Sequence, residues 1–278
     1  MSEGTREFDF KDKDFELLKQ IVSEHTGIVL TDAKRNMVYG RLARRLRALD
    51  LGSFSEYISV VKSDEQELVN FINSVTTNLT AFFRENHHFE YLTNKLLPAL
   101  LEKNKQTRKI RIWSAGCSTG EEPYSLAITL RDFFEDHPGW DVKILATDID
   151  TNVIAKAASG IYTADRLEGL SPDLIKRWFV KGKGENEGMV KVRKELQSLI
   201  SFKQLNLLQG WPMKGSFDFM FCRNVVIYFD KPTKITLFER YADIIDSKGF
   251  LFIGHSETLF QISDRFESLG GTIYQKKI

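Results

Sequence analysis

Apolar residues follow two different rhythms along this chain. Over residues 10–94 they recur every three or four positions, the spacing of one buried face of a helix. Phe15, Leu18, Ile21 and Val22 predict a first helix. Thr31 and Asp32, residues of the helix-capping type, precede a second over 34–49, with Met37, Val38, Leu42 and Leu46 as its stripe. Residues 53–61 and 64–75 predict two more, and no hairpin signal appears in this third of the chain. From about residue 107 short apolar runs alternate with helical stretches. Strands are expected at 110–113, 142–146, 217–222, 250–253 and 272–276, and helices at 123–134, 152–158 and 231–245. Strands joined by helical crossovers predict a mostly parallel, right-handed sheet.

One segment breaks the alternation. Trp178-Phe179-Val180 and Met189-Val190-Lys191-Val192 flank the loop Gly182-Lys183-Gly184-Glu185-Asn186-Glu187-Gly188, and Leu199-Ile200 and Phe202 follow. This reads as an antiparallel hairpin, a small β-subdomain inserted at about 178–204. The expected organisation is a polar, disordered 1–9, a helical domain over 10–94 and an α/β domain over 95–278.

The densest chemistry lies at Ile110-Arg-Ile-Trp-Ser-Ala-Gly-Cys-Ser-Thr-Gly-Glu-Glu-Pro-Tyr124. A strand runs into a turn of small residues that opens a helix, the first unit of a doubly wound nucleotide-binding sheet. Only Gly116 and Gly120 are present, so the three-glycine dinucleotide fingerprint is missing. Glu121 and Glu122 stand where a pyrophosphate would sit, and a helix N-terminus lined by carboxylates repels phosphate. The pattern favours a nucleoside without phosphate, of which S-adenosylmethionine is the common one, and disfavours an NAD-dependent oxidoreductase. One carboxylate there suits a sulfonium and an ammonium, and Glu121 is closer to the turn; helix-dipole placement alone would also explain both acids.

Asp148 ends the second strand, where the doubly wound plan places an acid on ribose hydroxyls. Asp150 competes for that role, and either acid could instead cap the next helix. Arg223 and Asn224 follow the strand at 217–222, at the carboxyl edge where ligands bind, with Tyr228 on the same loop. By pattern alone residues 78–84 read as a linker, with Arg84 a possible carboxylate clamp. His87 and His88 read as structural, because neighbours on a helix diverge and no third metal ligand is spaced for them. His255 follows a strand end. Cys117 and Cys222 end neighbouring strands and read as small buried thiols.

Composition narrows the classes. Of 278 residues 42% are hydrophobic and 28% charged, with a formal net charge of +1, so no global drive toward nucleic acid is present. No apolar run reaches the roughly 20 residues of a membrane span, and the first residues do not resemble a secretory signal. Two cysteines form no disulfide framework or zinc spacing. A cytoplasmic monomer without a metal is expected. A basic segment such as 34–47 is usually a solvated face, but its arginine density points to an acidic partner; DNA is the alternative, though no recognition motif accompanies it.

Four stretches together resemble the chemotaxis receptor methyltransferases, the CheR family: Thr76-Thr-Asn-Leu-Thr-Ala-Phe-Phe-Arg-Glu85, Trp113-Ser-Ala-Gly-Cys-Ser-Thr-Gly-Glu-Glu-Pro-Tyr-Ser125, Ala146-Thr-Asp-Ile-Asp150 and Cys222-Arg-Asn-Val-Val-Ile-Tyr-Phe229. The resemblance covers nearly the whole chain from about residue 10. It implies an all-α N-terminal domain before a Rossmann-like S-adenosylmethionine-dependent methyltransferase sheet with an inserted small antiparallel β-subdomain. It implies transfer of a methyl group to glutamate γ-carboxylates on the cytoplasmic helical bundle of chemoreceptors, leaving S-adenosylhomocysteine. By resemblance the cofactor contacts are Asn78, Thr80, Arg84, Glu121, Asp148, Asn206, Leu207, Arg223 and Asn224. Tyr228 is the catalytic candidate, and Arg41, Arg44 and Arg45 face the receptor. The loop 182–188 looks like the longer form found in members that dock a receptor C-terminal tail peptide at the β-subdomain edge. Methylation of another protein or a small carboxylic acid, or a non-catalytic tail-binding module, are the competing readings.

Overall fold

In the computed structural model, which describes residues 6–278, the chain divides into two compact units. One runs up to Thr77 and takes in Tyr228–Thr233; the other comprises Asn78–Ile227 and Lys234–Ile278. The first unit is built from helices Asp12–Thr26, Arg35–Ala48, Phe54–Ser63 and Glu65–Val75. Their apolar faces meet in a core of Phe10, Phe15, Leu18, Val38, Leu42, Leu46, Phe54, Tyr57 and Phe71. Gly27 stops the first helix in the left-handed conformation. Thr31 precedes a single tight turn, Asp32–Lys34, and makes no side-chain cap. The expected disorder over 1–9 lies outside the described residues for 1–5. Beyond them, Arg6 donates to Asn36 Oδ1 and the Phe8 ring packs on Phe54, so this stretch is anchored.

The second unit holds both sheets. In chain order the strands are β1 (Lys109–Ala115), β2 (Asp141–Asp148), β3 (Ile161–Thr163), β4 (Phe179–Lys181), β5 (Met189–Val192), β6 (Ile200–Gln204), β7 (Phe217–Cys222), β8 (Ile245–Ile253), β9 (Phe266–Gly270) and β10 (Ile273–Lys276). The large sheet has the order β6-β2-β1-β7-β8-β10-β9. β6, β2, β1, β7 and β8 run parallel, and β10 is antiparallel to both β8 and β9. The order reverses beside β1, so the switch point lies between β1 and β7, the place where open α/β sheets bind ligands. β7 is buried along its whole length, as a central parallel strand must be.

Three details differ from the sequence reading. The small sheet has the order β3-β5-β4, taking its third strand from Ile161–Thr163. Ile200–Gln204 pairs instead with β2 in the large sheet, because the long connection 149–199, with the helix Thr151–Ser159, returns the chain parallel to β2. The division between units falls after Thr77 rather than near residue 94. Its cause is packing: Phe89, Leu92, Leu96, Leu97 and Leu100, on the helical run His87–Lys103, join Ile110, Ile112, Phe219 and Phe252 in the core of the sheet.

Candidate functional site

The turn between β1 and the helix Glu121–Phe134 is tightly determined. Gly116 (φ +82°) and Gly120 (φ +99°) adopt left-handed backbone that side chains resist. A Cβ on Gly116 would collide with the Val225 side chain, and one on Gly120 would lie 2.8 Å from both Ala157 Cβ and Tyr162 Oη. The turn backbone is therefore packed directly against the Val225 side chain at Gly116 and against Ala157 and Tyr162 at Gly120.

The two aspartates at the end of β2 have divided roles. Asp150 caps the helix Thr151–Ser159, its Oδ1 accepting from Asn152 N at 2.9 Å, while its Oδ2 accepts from Asn78 Nδ2 at 2.8 Å. Asp148 Oδ2 accepts from Ser118 N at 2.8 Å and Oδ1 from Asp150 N at 3.1 Å. Burial pushes the Asp148 carboxyl up to about 6, against the pull of those backbone N–H groups. A carboxylate whose partners here are neutral N–H groups keeps lone pairs suited to hydroxyl donors.

Residues 78–84 lie along this turn. Ser118 Oγ donates to Asn78 O at 2.9 Å, Ser125 Oγ accepts from Phe83 N at 2.9 Å, and Arg84 Nη1 donates to Leu79 O at 3.0 Å. Pattern reading treated this stretch as a linker, and only the family resemblance marked it. Glu121 is 1% exposed. Its Oε1 takes the Arg166 guanidinium and its Oε2 accepts from Thr119 Oγ1 at 2.6 Å. Arg166 Nη2 also donates to Thr80 O at 2.7 Å.

Arg223 is buried rather than a surface cation. It donates to Arg84 O and lies 3.4 Å from Glu85 Oε2 and 3.5 Å from Glu122 Oε2. Glu122 also accepts from Ser114 Oγ at 2.7 Å, and burial raises its pKa despite the attraction of Arg223. Burial works to raise Glu85 too, but the hydrogen bond from His255 (2.9 Å) and the charge of Arg223 outweigh it and hold it below the usual range. Asn224 sits at φ +59° and half-buried, its N–H on Glu257 Oε2. Asn206 Oδ1 accepts from Leu208 N at 3.0 Å, and the buried Leu207 accepts through its carbonyl from Arg240 Nη1 at 2.7 Å. Sequence reasoning missed Glu85, Arg166 and Glu257, charges outside any periodic pattern.

The remaining candidates lie in the helical unit. The Tyr228 carbonyl accepts from Val29 N at 2.8 Å, and Lys34 Nζ stands 4.5 Å from its ring centroid. Arg41 donates to Ser74 O and Thr76 O, and Arg45 forks onto the buried Glu67, which also accepts from Tyr57 Oη at 2.9 Å. Arg44 is exposed.

Two smaller expectations also meet the structure. His87 and His88 do not diverge: both Nε2 atoms lie against Gly271 O, at 2.9 and 3.0 Å, with ring centroids 4.1 Å apart. They stand at the start of a helix, His87–Tyr91, that follows a left-handed Glu85. Burial lowers His88 to about 4. Cys117 and Cys222 are free and buried, and burial pushes both thiols up. No helix among the described residues is long and apolar enough to cross a membrane.

Residues 78–275 match the family model described as "CheR methyltransferase, SAM binding domain", and residues 13–76 match "CheR methyltransferase, all-alpha domain". Chemotaxis protein methyltransferase 2 of Pseudomonas aeruginosa is 46% identical over 274 residues, covering 98% of this chain and 95% of its own. The chemotaxis protein methyltransferase of Escherichia coli is 44% identical over 274 residues, covering 97% and 93%. That of Salmonella typhimurium is 45% identical over 275 residues, covering 97% and 92%.

Proposed function

The chain belongs to the CheR methyltransferase family, an S-adenosylmethionine-dependent methyltransferase of chemotaxis by its relatives, and we propose that it esterifies glutamate γ-carboxylates on the cytoplasmic helical region of chemoreceptors. The products are glutamate methyl esters and S-adenosylhomocysteine. The observation that carries this reading is the end of β2 and the turn beside it. A buried Asp148, partnered by backbone N–H groups, stands by a helix that opens with two acids. A carboxylate held by neutral N–H groups keeps lone pairs for the ribose hydroxyls of a bound nucleoside.

When bound, S-adenosylmethionine supplies a methyl group on a cationic sulfur. Asp148 would accept from its ribose hydroxyls, and Asn206 and Leu207 would hold its base. Asn78, Thr80, Arg84, Glu121, Arg223 and Asn224 form the rest of the proposed holding set. A glutamate acceptor, with an ordinary pKa of about 4.3, is already ionised at neutral pH, so the chain need supply no strong base. Its contribution is orientation and exclusion of water. Tyr228 is proposed to orient the reacting carboxylate. Arg41, Arg44 and Arg45 are proposed to serve the receptor, with Arg44 the exposed cation and the other two shaping the surface. A receptor tail peptide is proposed to add to the β4 edge next to the loop 182–188, where Val180 is 49% exposed; such a tether raises local substrate concentration. The protein is proposed to act as a cytoplasmic monomer.

The test is incubation with radiolabelled methyl donor and membranes holding chemoreceptors. Base-labile label on the receptor band supports the proposal. Cofactor binding with label on another acceptor transfers the reading to a different carboxylate substrate. Cofactor binding with no transfer leaves a tail-binding module, and no cofactor binding ends the reading altogether.

A further inference from the structure

A single cation ties together three parts of the second unit that are far apart in sequence. Arg166 lies in the tight turn Ala164–Leu167, immediately after β3 of the small sheet. Its guanidinium forks onto Glu121 Oε1 and donates to Thr80 O at 2.7 Å. A second tie comes from the same short segment: Tyr162, in β3, donates through Oη to Thr119 O at 2.7 Å. Its ring packs edge-on against Phe82 at 5.2 Å, and Phe82 does the same against Phe179 of β4 at 5.5 Å. Segment 162–166 therefore grips both the turn at 118–121 and the stretch 78–84.

The occupancy of Glu121 matters here. The side chain is 1% exposed, one oxygen faces Arg166 and the other holds Thr119 Oγ1. A carboxylate so enclosed is held in one orientation by Arg166 and Thr119. A planar guanidinium satisfies two acceptors in fixed geometry, which an ammonium does not do.

We propose that Arg166 is a positioning residue for the cofactor: Arg166 and Glu121 act as one unit that sets the turn and the Thr80 carbonyl for S-adenosylmethionine. Within this unit Arg166 fixes the orientation of the Glu121 carboxylate, a member of the proposed holding set. The proposal rests on the cofactor reading above.

A double-mutant cycle on cofactor affinity tests it, with Kd for S-adenosylmethionine from titration calorimetry on the full chain. Glu121→Gln and Arg166→Met are each expected to weaken binding about tenfold or more. The double variant is expected to be no weaker than the worse single one, the signature of groups that act together. Arg166→Lys keeps the charge without the fork and is expected to recover part of the loss, with a thermal midpoint within a few degrees of the parent. Additive losses, or unchanged or tighter binding in Arg166→Met beside a loss in Glu121→Gln, overturn the proposal, since Glu121 then acts without Arg166. Should Arg166→Met not fold, Arg166→Lys decides: parental affinity overturns the proposal, and weaker binding in a folded chain supports it. A parent chain that binds no S-adenosylmethionine fails the cofactor reading instead, so the two failures are distinguishable.

Discussion

Glu257 Oε2 accepts the backbone N–H of Asn224 at 2.9 Å, so a side chain from the loop after β8 sets the backbone of the loop after β7. The same oxygen accepts from Gly254 N at 2.6 Å, and Oε1 accepts from Ile227 N at 3.3 Å. Burial raises the Glu257 pKa, and these N–H groups pull it back. Glu257→Gln offers one acceptor and an NH₂ group that faces donors. Each backbone donor left unmet costs about 1–3 kcal/mol. The variant should show a lower thermal midpoint and weaker S-adenosylmethionine binding, because Asn224 loses the anchor of its left-handed backbone.

Asp148 carries a pH signature. Its folded pKa of about 6 lies above the ordinary aspartate value of 3.8, so between those values the folded chain holds more proton than the unfolded one. Its contribution to stability therefore falls as pH rises through that window and is constant above it. Cofactor affinity should run the other way, since the ionised carboxylate accepts hydroxyl donors better. Calorimetry at pH 5 and pH 7.5 should give binding about tenfold weaker at the lower pH, with Asp148→Asn weak at both. A flat parental profile would remove Asp148 from the ribose.

Two neighbouring arginines should part company on mutation. Arg45→Met leaves Glu67, at 3% exposure, buried without its cation. Burial favours raising Glu67, and it is the hydrogen bond from Arg45 above all that holds its pKa down. The loss should be about 3 kcal/mol, the low end for a buried pair, because Arg45 itself is partly exposed. Arg44→Ala should unfold at the parental midpoint, bind cofactor normally and methylate receptors more slowly. Denaturant unfolding and the receptor assay together check both.

Gly116→Ala adds left-handed strain of about 1–2 kcal/mol to a collision with Val225. The turn and the loop after β7 cannot both keep their places. Cofactor affinity should fall at least tenfold, while Gly210→Ala, whose Cβ meets nothing within 4 Å, should leave it unchanged.

The large sheet was legible because β1, β2 and β7 are runs of apolar residues bounded by turn chemistry, and burial on both faces demands such runs. Asp148 was legible because strand end, turn and acid coincide. The supports of the site were not. Arg166 meets Glu121 across 45 residues and Glu257 meets Asn224 across 33, and a charge outside a periodic pattern looks the same whether solvated or buried in a network. β3 has three residues and β9 only one buried side chain, too little for any periodicity to register. The paired histidines escaped because divergence by about 100° holds inside a helix, and this pair enters one. Arg41 and Arg45 read as cations for an acidic partner because nothing local reveals that Glu67 and the Ser74 and Thr76 carbonyls face them.

The reversed strand in the large sheet has a consequence for assembly. β10 follows β9 in the chain but lies between it and β8. Until Ile273–Lys276 has been synthesised, Phe266–Gly270 has no backbone partner in the sheet. On the ribosome the five parallel strands can pair as they emerge, whereas Phe266–Gly270 joins the sheet only with or after Ile273–Lys276, so this edge of the sheet is completed late.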